Sequence, residues 1–466
     1  MALAAREMGR GGVLTLCVAQ LLDTIDANIV VVALPDLGRE LGFSAAGLTW
    51  VVTGYLVMFG GLIIAVGRVA DQIGARGLLI AGVCVFALSS SVCALAQEPT
   101  TLLVGRLLQG VAAAMMSGTA LAVIVRHVPA TRRPQALALW TASAAVGGAL
   151  SLLFGGLIVD NLGWRWIFWI NLPICAAGLL GLLLVVPADQ VPSSPGRHRS
   201  RFGVRSAGLL ALTIMSLLGG LSMLAEPGTT RLLGVAAVVG SMVVAPLVLR
   251  ADRRCPDPVL PPRLLRDREF VLGVLATLLG AAGVPPAIVV VSIVLQFVQQ
   301  RPATVVGFAL LPFSLAVVVG SRIGGDWLAA HRRPGPFTVF GAVCMVALLL
   351  LAAALDHNTL WTFPVLMGVL GLSFGAVAVA ATTVALRSVP SELAGTAGAI
   401  VNTTTQLAAA TGMAAFVTAP VVLSGATTAA TISATNVPSL QVAIMLAAAC
   451  FLCLILLDLR SCASRG

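Results

Sequence analysis

Long apolar runs follow one another along this chain and constrain its fold more than any other feature. Hydrophobic residues make up 59% of the sequence and charged residues only 10%, and the mean hydropathy is +1.03. A run of about 20 apolar residues crosses a bilayer as a helix, since each residue adds about 1.5 Å. The sequence therefore predicts an all-α, multi-pass membrane protein.

Clusters of charged and turn residues divide the chain into fourteen predicted spans. Only the polar run Ser424–Ser439 separates the last two spans, and it is too polar to lie in lipid, which favours two spans over one. The approximate limits are 12–34, 46–66, 77–95, 101–125, 136–159, 164–186, 206–225, 232–249, 270–298, 304–321, 337–355, 360–386, 395–423 and 439–457.

The basic residues predict how these spans are oriented. All 28 are arginines, and 23 of them fall on segments of one side, with four (Arg39, Arg165, Arg231 and Arg301) on the other and Arg106 within a span. Cytoplasmic segments are the Arg-rich ones. We therefore expect both termini in the cytoplasm. The same rule explains the net charge of +10, so we expect no nucleic-acid partner.

Two polar linkers, Pro187–Gly203 and Arg250–Glu269, enclose a pair of spans without buried charge. This arrangement predicts a six-helix N-terminal half at 1–186, a linker region with two extra helices at 187–269, and a six-helix C-terminal half at 270–466.

Two carboxylates stand inside the first apolar run, in the stretch LLDTIDANIVVVALP from Leu21 to Pro35. Asp23 and Asp26 are three residues apart and share a helical face. A carboxylate at membrane depth costs at least about 2.5 kcal/mol, so it must face protein, water or a partner. The alternative is that either acid caps or braces a neighbouring helix, and for Asp23 this structural role is as well supported as a role in transport. We interpret the pair as a protonatable site lining a transport cavity.

Other chemistries find little support in the sequence. Cys450 and Cys453 share a helical face but have no histidine beside them, so we expect no metal site. The phosphate-binding pattern G-x-x-x-x-G-K-[ST] does not occur. We expect no cofactor, no enzymatic activity and no use of ATP.

The loop between spans two and three, GRVADQIGAR, runs from Gly67 to Arg76. Gly67 and Gly74 would permit a sharp turn, while Asp71 could accept backbone N–H groups and Arg76 could hold the inner surface. This loop resembles the G-x-x-x-D-x-x-G-x-R loop of the major facilitator superfamily. The resemblance implies two six-helix bundles and a role in gating for these four residues.

Further stretches resemble the fourteen-helix drug:proton antiporter branch of that family. Ile25–Pro35 is similar to its first-helix motif, LDxTIVNVALP, with Asp26 matched, Asn28 and Val31 in place of Thr and Asn, and Asp23 outside the motif. RLLQGVAAA resembles the fourth-helix R-x-x-Q-G motif, which implies proton transfer at Arg106 and Gln109. Two more segments complete the resemblance over essentially the whole chain: Trp164–Ile174 and Val389–Gly412.

The fifth span departs from the exporter motif G-x-x-x-G-P-x-x-G-G. Gly147, Gly155 and Gly156 match it, but Ser151 and Leu152 replace Gly-Pro. Small residues at 147, 151 and 155 still permit close helix packing, whereas the proline kink is missing. The direction of transport is left open at this point.

The depths of Asp26 and Arg106 permit them to pair. Asp26 is eight residues from Leu34 at the outer end of its span, about 12 Å deep, and Arg106 is five residues from Thr101, about 8 Å deep. A direct or water-bridged ion pair is therefore possible. The alternative is that Arg106 extends to the outer headgroups.

A further set of residues could line a substrate cavity. A double proline at the middle of span nine frees backbone carbonyls, although a passive kink is equally consistent with it. A polar patch in span thirteen could line the cavity or hydrogen-bond a neighbouring helix. The candidates are Asn28, Pro285, Pro286, Gln296, Asn402 and Gln406.

Together these features predict proton-coupled efflux of small amphipathic or cationic organic compounds by alternating access. The expected partners are the organic substrate, protons and the bilayer of a bacterial cytoplasmic membrane. We expect the protein to be a monomer driven by the proton motive force. The alternatives are a proton-coupled metabolite symporter and a non-transporting helical protein such as a receptor or lipid translocator.

Overall fold

The computed structural model describes residues 8–129, 132–186, 201–223, 229–254, 258, 260–330, 336–355, 361–389, 393–412 and 437–463. These ranges are helical almost throughout and contain no β-strand. The long helices are α1 (Arg10–Leu41), α2 (Ala45–Ile73), α3 (Ala75–Ala94), α4 (Pro99–His127), α5 (Arg133–Leu162), α6 (Asn171–Val185), α7 (Arg201–Met223), α8 (Thr229–Arg253), α9 (Arg268–Ile293), α10 (Ala303–Ala330), α11 (Pro336–Ala354), α12 (Thr362–Arg387), α13 (Ala394–Gly412) and α14 (Val437–Ala463).

A helix lies at each of the predicted spans. By length and composition, eleven of the described helices can cross a membrane. The three others, α5, α7 and α13, stay predictions as membrane spans. The predicted span 395–423 is described only as far as Gly412, so its end and most of Ser424–Ser439 lie outside the described residues.

The long helices pack into two groups. In the first, α3 packs on α4, α2 on α4, and α1 on both α5 and α6; in the second, α12 packs on α10, α9 and α11, and α11 packs on α14. The groups meet along α2 with α13 and along α5 with α10, while α7 packs on α8 and α2. The division of the chain into three parts at 186 and 269 stays a prediction.

Helix α5 approaches two neighbours so closely that glycine is required. A Cβ atom at Gly147 would lie 2.9 Å from the Leu21 carbonyl oxygen of α1, and one at Gly156 would lie 2.5 Å from the Ala303 carbonyl oxygen of α10. Ser151 is buried and donates to the Gly148 carbonyl at 2.8 Å. Close packing therefore occurs without the proline of the exporter motif, and the side chain of Leu152 lies outside the described residues.

Helix α1 is longer than predicted. The predicted span ended at Leu34, but the helix continues through Pro35 to Leu41. Proline has no N–H group, so the Val31 carbonyl loses its usual helical donor. Ser292 of α9 donates to that carbonyl at 3.2 Å. Pro35 therefore does not break α1, and the Val31 carbonyl that it leaves free accepts a hydrogen bond from the second group of helices.

The predicted sharp turn between α2 and α3 is present at Gly74, but its extension to Gly67 is wrong. Helix α2 continues through Gly67 to Ile73, and the backbone reverses at Gly74, whose φ is 102°. Nothing between Gly67 and Ile73 prevents helix formation, and a Cβ at Gly67 would have no atom within 4 Å. Asp71 lies in the last turn of α2, with its side chain outside the described part of the chain. Arg76 donates to the carbonyls of Leu182 and Leu183, at 3.1 and 3.2 Å.

The two groups of helices are in contact at the end of the bundle where α1 and α5 end. We call this the outer end, because the distribution of arginines predicts that it faces outside. Asp160 of α5 accepts hydrogen bonds from the backbone N–H groups of Ala303 (3.0 Å) and Thr304 (2.6 Å) at the start of α10. A hydrophobic core shared by both groups includes Ile29 of α1 and Val290 of α9. A second core, nearer the start of α1, is built from the first group alone.

Candidate functional site

A buried ion pair joins α1 to α4. Arg106 Nη1 lies 2.5 Å from Asp26 Oδ2, and both side chains are fully buried. Arg106 Nε donates to the Val51 carbonyl of α2 at 3.0 Å. The guanidinium group is therefore held between three helices and does not extend to the outer headgroups.

Two amides complete the surroundings of Asp26. Gln109 is one turn after Arg106; its Nε2 donates to Asp26 Oδ1 at 2.9 Å, and its Oε1 accepts from Arg106 Nη1 at 2.8 Å. Asn171, at the start of α6, donates to Asp26 Oδ1 at 2.8 Å. Ser90 Oγ of α3 accepts from Gln109 at 2.9 Å and from Asn171 at 3.2 Å. The carboxylate thus accepts three hydrogen bonds. We call these five residues the Asp26 cluster.

Sequence reasoning missed Asn171 and Ser90. Asn171 lies within the motif stretch Trp164–Ile174, and its polar amide at the edge of an apolar span was a usable signal. Ser90 is one of three consecutive serines in α3, and nothing in the sequence singles it out.

Asp23 lies one turn before Asp26 and has different surroundings. It is 4% exposed, and the hydroxyl group of Tyr55 on α2 donates a hydrogen bond to it. The guanidinium carbon of Arg106 lies 4.5 Å from the centroid of the Tyr55 ring. Tyr55, which sequence reasoning also missed, therefore stands between Asp23 and the charge of Arg106.

The remaining predicted cavity residues lie elsewhere. Asn28 donates to the Thr24 carbonyl of its own helix at 2.7 Å, and Gln296 donates to Ser292 at 2.8 Å. Pro286 is buried, whereas Pro285, Asn402 and Gln406 are half-buried. A Cβ atom at Gly60 of α2 would lie 2.7 Å from Gln406 Cβ, which places Gln406 at the contact between the two groups. Among the described residues, none of these side chains hydrogen-bonds to the Asp26 cluster, and their roles stay predictions.

The Asp26 cluster is costly to bury. Ionised groups inside a membrane protein are retained where they serve transport or proton transfer more often than for stability, because desolvation offsets much of the attraction within the pair. Within the described ranges, no group of His, Cys, Asp and Glu is arranged to hold a metal ion. The cluster holds a carboxylate and a guanidinium group, and a carboxylate can bind a proton or pair with a cation.

The fold resembles that of a solved transporter. The crystal structure of a bacterial homologue of the human lysosomal transporter Spinster, in an inward-facing and unoccupied conformation, matches with a TM-score of 0.62 over 96% of this chain and 95% of that one. The two sequences are 14% identical, so the likeness shows the fold alone.

Relatives with closer sequences are named for resistance or export. The puromycin resistance protein pur8 of Streptomyces alboniger is 31% identical over 86% of this chain and 80% of its own length. The cephamycin export protein CmcT of Amycolatopsis lactamdurans is 31% identical over 86% and 83%. The family model of the Major Facilitator Superfamily matches residues 16–413. The chain therefore belongs to the major facilitator superfamily, whose members are multi-pass membrane transporters and not enzymes.

Proposed function

We propose that this protein exports small amphipathic or cationic organic compounds in exchange for protons. The observation that carries the proposal is the fully buried Asp26–Arg106 ion pair in the first helical group. Ionisable groups buried at membrane depth are rare and mark the pathways of ions, protons or substrates.

The chemistry of this site supports the proposal of proton exchange. An antiporter needs a group that binds the proton in one state and releases it when substrate binds, so that each ligand shifts the same equilibrium. Buried carboxylates, of which α1 carries two in Asp23 and Asp26, can do this, because binding of a proton or of a cationic substrate neutralises the same negative charge. The proton motive force then drives transport without ATP.

The names of the relatives support the proposed substrate class and the outward direction of transport. These relatives are named for resistance to puromycin, for resistance to methylenomycin A and for export of cephamycin. The methylenomycin A resistance protein of Bacillus subtilis is 29% identical over 86% of this chain. We propose export of compounds of comparable size from the cytoplasm, with both termini inside and the monomer as the working unit.

Alternating access is supported by how the groups meet. Two contacts close the outer end. Asp160 of α5 accepts a hydrogen bond from the backbone N–H group of Ala303 at the start of α10, and Ser292 of α9 donates to the Val31 carbonyl of α1. Transport requires these contacts to break while contacts at the opposite end form. In this proposal Gly74, Asp71 and Arg76, at the junction of α2 and α3, regulate that second closure.

The experiment is uphill transport by the purified protein in proteoliposomes. The probe is ethidium, which is permanently charged and cannot be trapped as a weak base. An acidic lumen should drive ethidium accumulation, and the exchanging ionophore nigericin should abolish it; protein-free liposomes are the control. Further permanently charged amphipathic cations extend the panel.

A symporter is the second candidate, favoured by Ser151 and Leu152 in place of the exporter Gly-Pro. It would accumulate substrate when the outside is acidic. The same proteoliposomes with the gradient reversed separate the two functions, and accumulation under neither gradient contradicts both.

A further inference from the structure

The two buried carboxylates of α1 differ in how completely their charge is compensated. Asp26 accepts hydrogen bonds from Arg106, Gln109 and Asn171, and one of these donors is a full positive charge. A carboxylate with three donors is stabilised in its ionised form.

Asp23 has no such compensation. Within the described part of the chain, its hydrogen-bond donor is the hydroxyl group of Tyr55, and neither Asp23 nor Tyr55 is more than 4% exposed. A hydroxyl group donates or accepts equally well. It can therefore pair with an ionised Asp23 by donating, and with a protonated Asp23 by accepting. Gain or loss of a proton leaves this hydrogen bond in place.

The charge balance distinguishes the two acids further. With Asp23 and Asp26 ionised and Arg106 charged, the site carries one net negative charge. One proton makes it neutral, which burial favours. A proton on Asp26 would leave the buried guanidinium group of Arg106 without its partner, and its Nη2 atom already has no hydrogen-bond acceptor in the described chain. A proton on Asp23 leaves the ion pair intact.

The groups around Asp23 support the same assignment. The charged or titratable groups that face it are Asp26 on its own helix, Tyr55 on α2 and, behind the Tyr55 ring, Arg106 on α4. The thiol of Cys93 contacts Gln109 at 3.6 Å and so lies on the Asp26 side. Within the described residues, no cation contacts Asp23 directly.

We propose that Asp23, hydrogen-bonded to Tyr55, is the site that carries the transported proton, while Asp26 stays ionised against Arg106 throughout the cycle. This inference rests on the proposed function. On release, the O–H bond of the Asp23 carboxyl group breaks, the proton passes to cytoplasmic water, and both bonding electrons stay on the carboxylate. A monovalent organic cation then restores neutrality, so one proton is exchanged for one such cation.

Asp23 lies outside the first-helix motif that Asp26 matches, so the resemblance alone would assign this role to Asp26. The structure instead gives Asp26 the role of holding Arg106 and the amides in position. Assignment of the proton to Asp23 and its assignment to Asp26 predict different activities for the Asp23→Asn and Asp26→Asn variants.

The test measures two activities in proteoliposomes. The first is ethidium accumulation driven by an acidic lumen. The second is exchange of radiolabelled for unlabelled ethidium at equal pH on both sides, which requires alternating access but no proton movement. The variants are Asp23→Asn, Asp23→Glu and Asp26→Asn, with Asp36→Asn as the matched control, an aspartate of the same helix that pairs with Arg39 at the outer end.

We expect Asp23→Asn to lower accumulation to the protein-free level. Exchange, measured at saturating ethidium because loss of the Asp23 charge weakens binding of the cation, should fall less than fivefold. Asp23→Glu, which restores a carboxyl group, should recover accumulation. Asp26→Asn should lose both activities together, because its ion pair is broken, and Asp36→Asn should retain both.

The opposite pattern would overturn the inference: Asp23→Asn still accumulates ethidium on a pH gradient, whereas Asp26→Asn exchanges but does not accumulate. If Asp23→Asn does not fold, Asp23→Ser, which also removes the carboxyl group, takes its place. Loss of accumulation with retained exchange in that variant supports the inference, and unchanged accumulation with Asp26→Asn uncoupled overturns it. Absence of pH-driven accumulation by the unsubstituted protein contradicts the proposed function itself.

Discussion

Arg106 and Asp26 are separated by 80 positions in the sequence, yet their side chains meet with Nη1 2.5 Å from Oδ2 and no exposed surface on either. The contact joins α1 to α4 inside one helical group. Removal of one partner would leave the other charge buried and unpaired.

A double-mutant cycle tests the coupling of this pair. Arg106→Ala and Asp26→Asn should each lower stability, by about 3–5 kcal/mol where a buried pair loses one partner, whereas the double variant should be less destabilised than the sum of the two. The measurement is thermal unfolding in detergent. Additive losses would show that the two side chains are not energetically coupled.

Asn171 should support Asp26 without carrying charge. In Asn171→Ala the carboxylate loses one of three donors, so we expect a loss of about 1–3 kcal/mol. Asn161→Ala is the matched control, because the Asn161 amide donates to the Leu157 carbonyl of its own exposed turn and the change should be nearly neutral. Equal effects of the two substitutions on thermal unfolding would contradict the role of Asn171.

Gly156 should control closure of the outer end. A Cβ atom there would lie 2.5 Å from the Ala303 carbonyl oxygen, whereas one at Gly148 would have Ser314 Oγ at 3.9 Å as its nearest neighbour. We expect Gly156→Ala to lengthen the distance between spin labels at Leu162 and Pro302, measured by electron paramagnetic resonance. Gly148→Ala should leave it unchanged. An unchanged distance in Gly156→Ala would mean that this contact does not hold the two groups together.

Asp71 should affect the rate of transport more than substrate binding. It lies in the last turn of α2, far along the helix from Tyr55, where it would bias the balance between inward and outward states. That balance alters apparent affinity only as far as the binding-competent fraction changes. Asp71→Ala should slow ethidium turnover several-fold with little change in the dissociation constant. Gly67→Ala, where a Cβ has free space, is the control. A large loss of binding with unchanged turnover would refute the assignment.

The sequence was sufficient to place the helices and to identify Arg106 and Gln109, two of the three hydrogen-bond donors to Asp26, but not Asn171. An ionisable group stands out in an apolar run, so Asp23, Asp26 and Arg106 could be found by position alone. Gln109 followed from helical spacing after Arg106. Neutral polar groups such as Ser90 do not stand out in this way, since many serines only bond back to their own helix.

Two sequence-based predictions about the limits of helices α1 and α2 differ from the structure. The predicted first span ends at Leu34, whereas α1 continues through Pro35 to Leu41. The acceptor that Pro35 leaves at Val31 is used by Ser292 of α9, a contact between distant parts of the chain. The sequence predicts a sharp turn that Gly67 and Gly74 both permit. The turn falls at Gly74, which the local sequence does not distinguish from Gly67.

The central claim, that protons and substrate move in opposite directions through this buried site, is tested most directly by a measurement of lumenal pH. Proteoliposomes loaded with the pH-sensitive dye pyranine are given ethidium outside. We predict that the lumen becomes alkaline as ethidium enters and that Asp26→Asn abolishes both movements. Acidification of the lumen, or an alkaline shift that persists in Asp26→Asn, would contradict the account.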